Sequence, residues 1–188
     1  MDTEIIIVSG LPRSGTSLMM QMLDNGGVEV VTDGARAADV DNPKGYYEFE
    51  KVKTIERDKS WLPATRGKAF KMVSQLLYHL PASERYRVVF MERDFDEMLA
   101  SQEKMLARLG RPGAPREKIE GPFRLHLERL HAWLAQQANL RILPVNYNEL
   151  IAEPRRQAER VREFLGVAAD TEKMAETVDP SLYRNRNS

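Results

Sequence analysis

The sequence predicts an α/β fold of three layers, with a central, mostly parallel sheet flanked by helices. Three observations lead to it. Apolar runs without polar alternation recur at residues 4–9, 87–91 and 141–145, as strands covered on both faces require. Stretches with helical apolar spacing separate these runs. The first run, Glu4-Ile5-Ile6-Ile7-Val8-Ser9, breaks into a loop bounded by Gly10 and Gly15, and the loop opens directly into Leu18-Met19-Met20-Gln21-Met22-Leu23.

The elements follow in order. Residues 4–9 read as a buried strand, and a helix runs from about Gly15 to Asn25, where Asn25-Gly26-Gly27 stops it. Val28–Val31 reads as a short strand. Residues 32–45, with Asn42-Pro43, read as a loop, and Tyr46 to about Asp58 as a helix. Lys68–Val73 reads as a strand, followed by a short helix to Leu80-Pro81. After the strand Arg87–Met91, Asp94 caps a helix, with Glu97 three residues later as in a capping box. That helix carries the stripe Phe95, Met98, Leu99, Leu106 and Leu109, and residues 110–116 form a loop. Ile119, Phe123, Leu127, Leu130 and Leu134 mark a helix over 117–138, and Arg141–Val145 the last strand. Pro154 opens a helix that carries Val161, Phe164 and Leu165 and ends at Gly166.

Composition sets limits. A chain of 188 residues reads as one domain, residues 1–188. Lysine plus arginine number 28 and so do aspartate plus glutamate, which argues against a general nucleic-acid binder but leaves room for a local basic pocket. There is no cysteine, so disulfides and cysteine metal sites are excluded. No run reaches the ~18 apolar residues that span a bilayer, and the N-terminus does not read as a signal peptide. The expectation is a cytoplasmic protein of bacterial style, with no membrane or nucleic-acid partner.

The loop Gly10-Leu11-Pro12-Arg13-Ser14-Gly15-Thr16-Ser17 is a phosphate cradle, or P-loop. Its glycines allow the tight turn that points N–H groups at an anion, and the helix N-terminus adds its dipole. The ATP-type pattern is G-x-x-x-x-G-K-[ST]; here Thr16 stands at the lysine position and the cation comes earlier, at Arg13. Arg93 ends a second strand, at the edge where such sheets bind ligands, and Ser101 follows about two helical turns on, roughly 10 Å along the axis.

Pro12-Arg13-Ser14-Gly15-Thr16-Ser17 resembles the 5′-phosphosulfate loop of sulfotransferases, which use 3′-phosphoadenosine 5′-phosphosulfate (PAPS). The Arg93/Ser101 spacing resembles their 3′-phosphate site, and Tyr147-Asn148-Glu149-Leu150 with Pro154 resembles their Y-E-D-L-x-x-x-P segment, whose tyrosine packs near adenine. Asn42-Pro43-Lys44-Gly45-Tyr46-Tyr47-Glu48 looks like a segment of the short bacterial branch. The resemblance implies a P-loop fold, PAPS as donor and sulfuryl transfer to a hydroxyl or amine of a small-molecule or peptide acceptor. It implies nucleotide contacts at Arg13, Ser14, Gly15, Thr16, Ser17, Arg93, Ser101 and Tyr147, and requires no metal.

Departures qualify the resemblance. Leu18 stands where cytosolic members carry an aromatic residue. Lys71 matches the lysine of their K-T-H-L-P string, but the position of its histidine base is Val73. His79-Leu80-Pro81 lies at a helix end and reads as a coincidence, and the C-terminal R-K-G loop is absent, leaving Arg184 as a substitute cation. By analogy with phosphoryl transfer, Arg13, the loop N–H groups and Lys71 receive the charge on the leaving oxygen. His126 and His131 read as structural, so Glu48 is the expected base for the acceptor, with Asp33 second. Acceptor specificity is expected from residues 32–66 and 108–122. Two rivals remain at this level. One is a small P-loop kinase with Asp94 as a metal carboxylate, and the other is a non-catalytic nucleotide-binding module.

Overall fold

The computed structural model describes residues 4–34 and 45–179. Four parallel strands, β1 (Ile5–Gly10), β2 (Ala69–Val73), β3 (Tyr86–Glu92) and β4 (Leu140–Asn146), form one sheet in the order β2-β1-β3-β4. Chain order reverses beside β1, which makes the crevice above β1 and β3 the place for a ligand. Gly10 pairs with Val73 on one side and with Met91 on the other, and Met91 pairs with Val145. The carboxyl ends of all four strands therefore lie level, and the residue that follows each one faces the same edge.

Side chains alternate across the sheet, and both faces are covered. Ile6, Val8, Val89, Met91 and Val145 pack on one face with helices α1 (Thr16–Asn25), α4 (Tyr147–Ala152), α5 (Pro154–Leu165) and α6 (Thr171–Glu176). Ile5, Ile7, Phe70, Val88 and Phe90 pack on the other with Leu130 and Leu134 of α3 (Arg116–Leu134) and with Trp61, Leu62 and Leu77. The double cover explains why the strands read as unbroken apolar runs. A third cluster joins Leu11 of the phosphate loop to Met98 and Leu99 of α2 (Phe95–Arg108), with Ile119, Phe123 and Leu127 of α3 against it. The α2–α3 pair thus forms a wall beside the loop. Among the described residues no helix is long and apolar enough to cross a membrane.

Four expectations are corrected. Val28–Val31 forms only an isolated bridge, Val30 to Ala69, because just two backbone bonds join this edge segment to β2: Ala69 N–H donates to the Glu29 carbonyl and Val31 N–H donates to the Ala69 carbonyl. Tyr46–Asp58 is not an α-helix. The Tyr46 carbonyl accepts from Lys71 Nζ and from Ser17 Oγ (3.3 Å), Tyr47 takes φ 53°, and only Glu50–Thr54 closes into a 3-10 turn, its first N–H held by Asp33 Oδ2 at 2.5 Å. The helix after β2 is also a 3-10 turn, Ser74–His79. The third long helix ends at Leu134 rather than near residue 138. The α6 helix was not expected. Asp170 caps it through the N–H groups of Glu172 and Lys173, both at 3.1 Å, and Met174 packs against Gly26 at the end of α1.

Candidate active site

The loop after β1 has the geometry of an anion cradle. Gly10 (φ 154°) has no room for a side chain, since a Cβ there would come within 2.6 Å of the Met91 carbonyl oxygen. Gly15 (φ 102°) is the N-cap of α1, and a Cβ on it would overlap the Tyr147 ring. The α1 N-terminus has no side-chain cap and no acidic residue in its first turn. By contrast, α2, α4 and α6 are capped by Asp94, Asn146 and Asp170. Among the described residues no side-chain cap meets the first N–H groups of α1, and an uncapped helix N-terminus at a sheet's switch point is the arrangement that binds phosphate.

Cations surround this terminus. Lys71, on β2 opposite Val8, donates to Ser17 Oγ at 3.3 Å and to the Tyr46 carbonyl. Gln21 Nε2 donates to the Gly45 carbonyl at 3.3 Å, so residues 45–46 are seated on α1. Arg13 takes φ 68°, a left-handed conformation that costs a non-glycine residue about 1–3 kcal/mol. Its Nε donates to Ser101 Oγ at 3.1 Å, which lays the side chain along α2. Arg93 Nη1 donates to the Arg13 carbonyl at 3.3 Å. Arg13, Arg93 and Ser101, separated by up to 88 residues, therefore meet at one point.

Tyr147, one residue beyond β4, lies against Gly15 and carries the Arg93 guanidinium at 4.3 Å from its ring centroid. The ring is 9 % exposed, so in this structure it packs the loop and the arginine together. Burial pushes the Tyr147 hydroxyl pKa up, against the pull of Arg93. Arg93 also pairs with Glu97, its Nε 3.3 Å from Oε2, and Asn148 Nδ2 donates to the other Glu97 oxygen at 3.2 Å. Both side chains of the ion pair are buried. Glu97 and Asn148 are the members of the site that motif reading missed.

Below the loop a cavity of about 490 Å³ is lined by Ser14, Arg93, Asn148, Phe90, Phe95 and Leu127, among others. The Oγ of Ser14 and the Oδ1 of Asn148 are buried without a hydrogen-bond partner among the described residues. Glu48 Oε2 lies 4.0 Å from Lys53 Nζ, and its carbonyl accepts from Thr32 Oγ1 and Asp33 N–H. Asp33 holds the N–H of Glu50. His126 and His131 have partners. His126 Nε2 lies 2.9 Å from Ser74 Oγ, its pKa lowered by burial and then by His131, and His131 faces Glu92 at 3.9 Å. Asp94, the metal carboxylate of the kinase rival, accepts from Glu97 N–H as the cap of α2. Asn42, Pro43, Lys44 and Arg184 lie outside the described residues.

With this geometry in place, the comparison with known families is decisive: the sulfotransferase domain model matches residues 2–186. The chain belongs to the sulfotransferase domain family. Solved sulfotransferases share its fold at low identity. The sulfotransferase domain from the curacin biosynthetic pathway superposes with a TM-score of 0.60 at 14 % identity, over 96 % of this chain and 89 % of that one. The mouse sulfotransferase SULT7A1, solved with PAP, gives 0.53 at 15 % identity, over 95 % of this chain and 63 % of that one. Sulfotransferase STF1 of Mycobacterium tuberculosis gives 0.51 at 14 % identity, over 95 % and 71 %. No curated protein matches the chain. The sulfotransferase assignment rests on the family match, and these structures bear on the fold.

Proposed function

We propose that this sulfotransferase moves a sulfuryl group from PAPS to a hydroxyl or amine of a small-molecule or peptide acceptor. The observation that carries the reading is the side-chain-free N-terminus of α1, flanked by Arg13 and Lys71, with Arg93 and Ser101 meeting Arg13 at the next strand end. Two cationic contacts on adjacent strand ends fit a nucleotide with phosphates at two positions. The Ser14 hydroxyl, buried and without a partner among the described residues, marks the loop as a place where a polar ligand completes the bonding.

In the reaction the bond between sulfur and the 5′-phosphate oxygen breaks as a bond from sulfur to the acceptor forms. The leaving group is adenosine 3′,5′-bisphosphate, and its new charge falls among the α1 N–H groups, Arg13 and Lys71. The acceptor gives up one proton, which Glu48 receives. Lys53 Nζ lies 4.0 Å from that carboxylate.

The test compares adenosine 3′,5′-bisphosphate with adenosine 5′-monophosphate by calorimetry. The wild type is expected to prefer the bisphosphate. Arg93→Ala is expected to weaken the bisphosphate by about 1.5–3 kcal/mol, the worth of a charge-assisted hydrogen bond, and the monophosphate far less. Equal losses for both nucleotides would place Arg93 away from the 3′-phosphate.

A further inference from the structure

Glu97 does something its sequence position does not announce. It stands three residues after the cap Asp94, where a glutamate ordinarily serves the exposed first turn of its own helix. Here it is 3 % exposed and turned inward, with one oxygen on Arg93 Nε and the other on Asn148 Nδ2. The Arg93 side chain is 8 % exposed. Burying two opposite charges is a poor way to gain stability, because the desolvation cost commonly matches the attraction. A second feature sets the pair apart from a structural salt bridge: it lies at the ligand edge of the sheet. The guanidinium held by Glu97 also donates to the carbonyl of the strained Arg13 and lies over Tyr147, which packs on Gly15. One carboxylate thus ties α2, α4 and the phosphate loop together through a single arginine.

We propose that Glu97 is the positioning residue that fixes Arg93 for the 3′-phosphate of the nucleotide, an inference that rests on the donor reading above. Charge alone argues in the opposite direction. A carboxylate 3.3 Å from the guanidinium weakens its field, so a site built only on attraction is better without Glu97. What Glu97 supplies is orientation. A guanidinium offers its donors in a rigid planar fork, and anchoring the Nε edge sets the direction of the rest. Asn148 in turn anchors Glu97 from α4, which extends the device to the segment that carries Tyr147.

The experiment measures the ratio of the dissociation constants for adenosine 5′-monophosphate and adenosine 3′,5′-bisphosphate in the wild type, Glu97→Gln, Glu97→Asp and Asn148→Ala. Glu97→Gln keeps the shape, and its ratio is expected to fall about tenfold or more through weaker bisphosphate binding, as for loss of a charge-assisted contact. Glu97→Asp is expected to restore part of the ratio. Asn148→Ala, which loosens Glu97 without touching the ion pair, is expected to lower the ratio by a smaller factor and keeps the test alive if Glu97→Gln does not fold. A Glu97→Gln protein that binds the bisphosphate as well as or better than the wild type overturns the proposal, whatever happens to its melting temperature. So does an unchanged ratio in Asn148→Ala alongside a failure of Glu97→Gln to fold. A wild type with no preference for the 3′-phosphate overturns the donor reading together with this proposal, whereas a wild-type preference that survives the substitutions overturns this proposal alone.

Discussion

Gly15→Ala is expected to abolish measurable nucleotide binding and to lower the melting temperature by several degrees. Two costs combine. Alanine at φ 102° is strained by roughly 1–3 kcal/mol. Its methyl group also overlaps the Tyr147 ring, which is buried and carries Arg93. Moving that ring disturbs the cradle and the second anion contact in one step. For a chain of this size each kcal/mol shifts the melting point by roughly 2–4 °C. Calorimetry with adenosine 3′,5′-bisphosphate and a thermal melt check both parts. An alanine variant that binds the nucleotide within about threefold of wild type, well under the ~1.4 kcal/mol of a tenfold change, would show that the loop is not the cradle.

Glu48→Gln is expected to leave nucleotide affinity nearly intact and to cut turnover by ~10²–10⁴-fold once an acceptor is in hand, the usual contribution of a general base. The resemblance to the K-T-H-L-P string sets Val73 at the place of the histidine base, and on that reading another group takes the acceptor's proton. Glu48 is the carboxylate of the segment whose carbonyls at Gly45 and Tyr46 are held by Gln21, Ser17 and Lys71. Those bonds bring the segment to the side of the phosphate loop. Glutamine keeps the shape and loses the proton acceptor. Initial rates across the pH range read the effect, and a variant with the wild-type rate throughout would make Glu48 structural and turn attention to Asp33.

The features legible in the sequence were those fixed by local chemistry or by double burial. The Gly10–Ser17 loop could be read because its glycines are demanded by backbone angles and close approach, at Gly10 against Met91 and at Gly15 against Tyr147. Strands β1, β3 and β4 could be read because both of their faces are covered. The Val28–Val31 run misled because an apolar tetrapeptide looks the same whether it pairs fully or bridges once at an edge. The 46–58 stretch misled because its first carbonyls are taken by distant groups, that of Tyr46 by Ser17 and Lys71 and that of Glu48 by Thr32 and Asp33, so that only Glu50–Thr54 closes a helical turn. Glu97 was hidden by its own plausibility as a capping residue, and its partner Asn148 lies 51 positions away. Spacing within a motif carries no trace of such a pairing, and the same holds for the bond between Arg13 and Ser101.

The central claim is that this cradle holds a 3′-phosphorylated adenosine nucleotide, and a thermal melt in the presence of a metal chelator tests it most directly. With adenosine 3′,5′-bisphosphate at a hundredfold its dissociation constant, binding adds about 2.7 kcal/mol, and the melting temperature is expected to rise by roughly 5–10 °C without any divalent ion. Adenosine 5′-monophosphate at the same concentration is expected to give a smaller rise. No shift with millimolar bisphosphate, beside a clear shift with Mg-ATP once the chelator is left out, would contradict the account and favour a kinase.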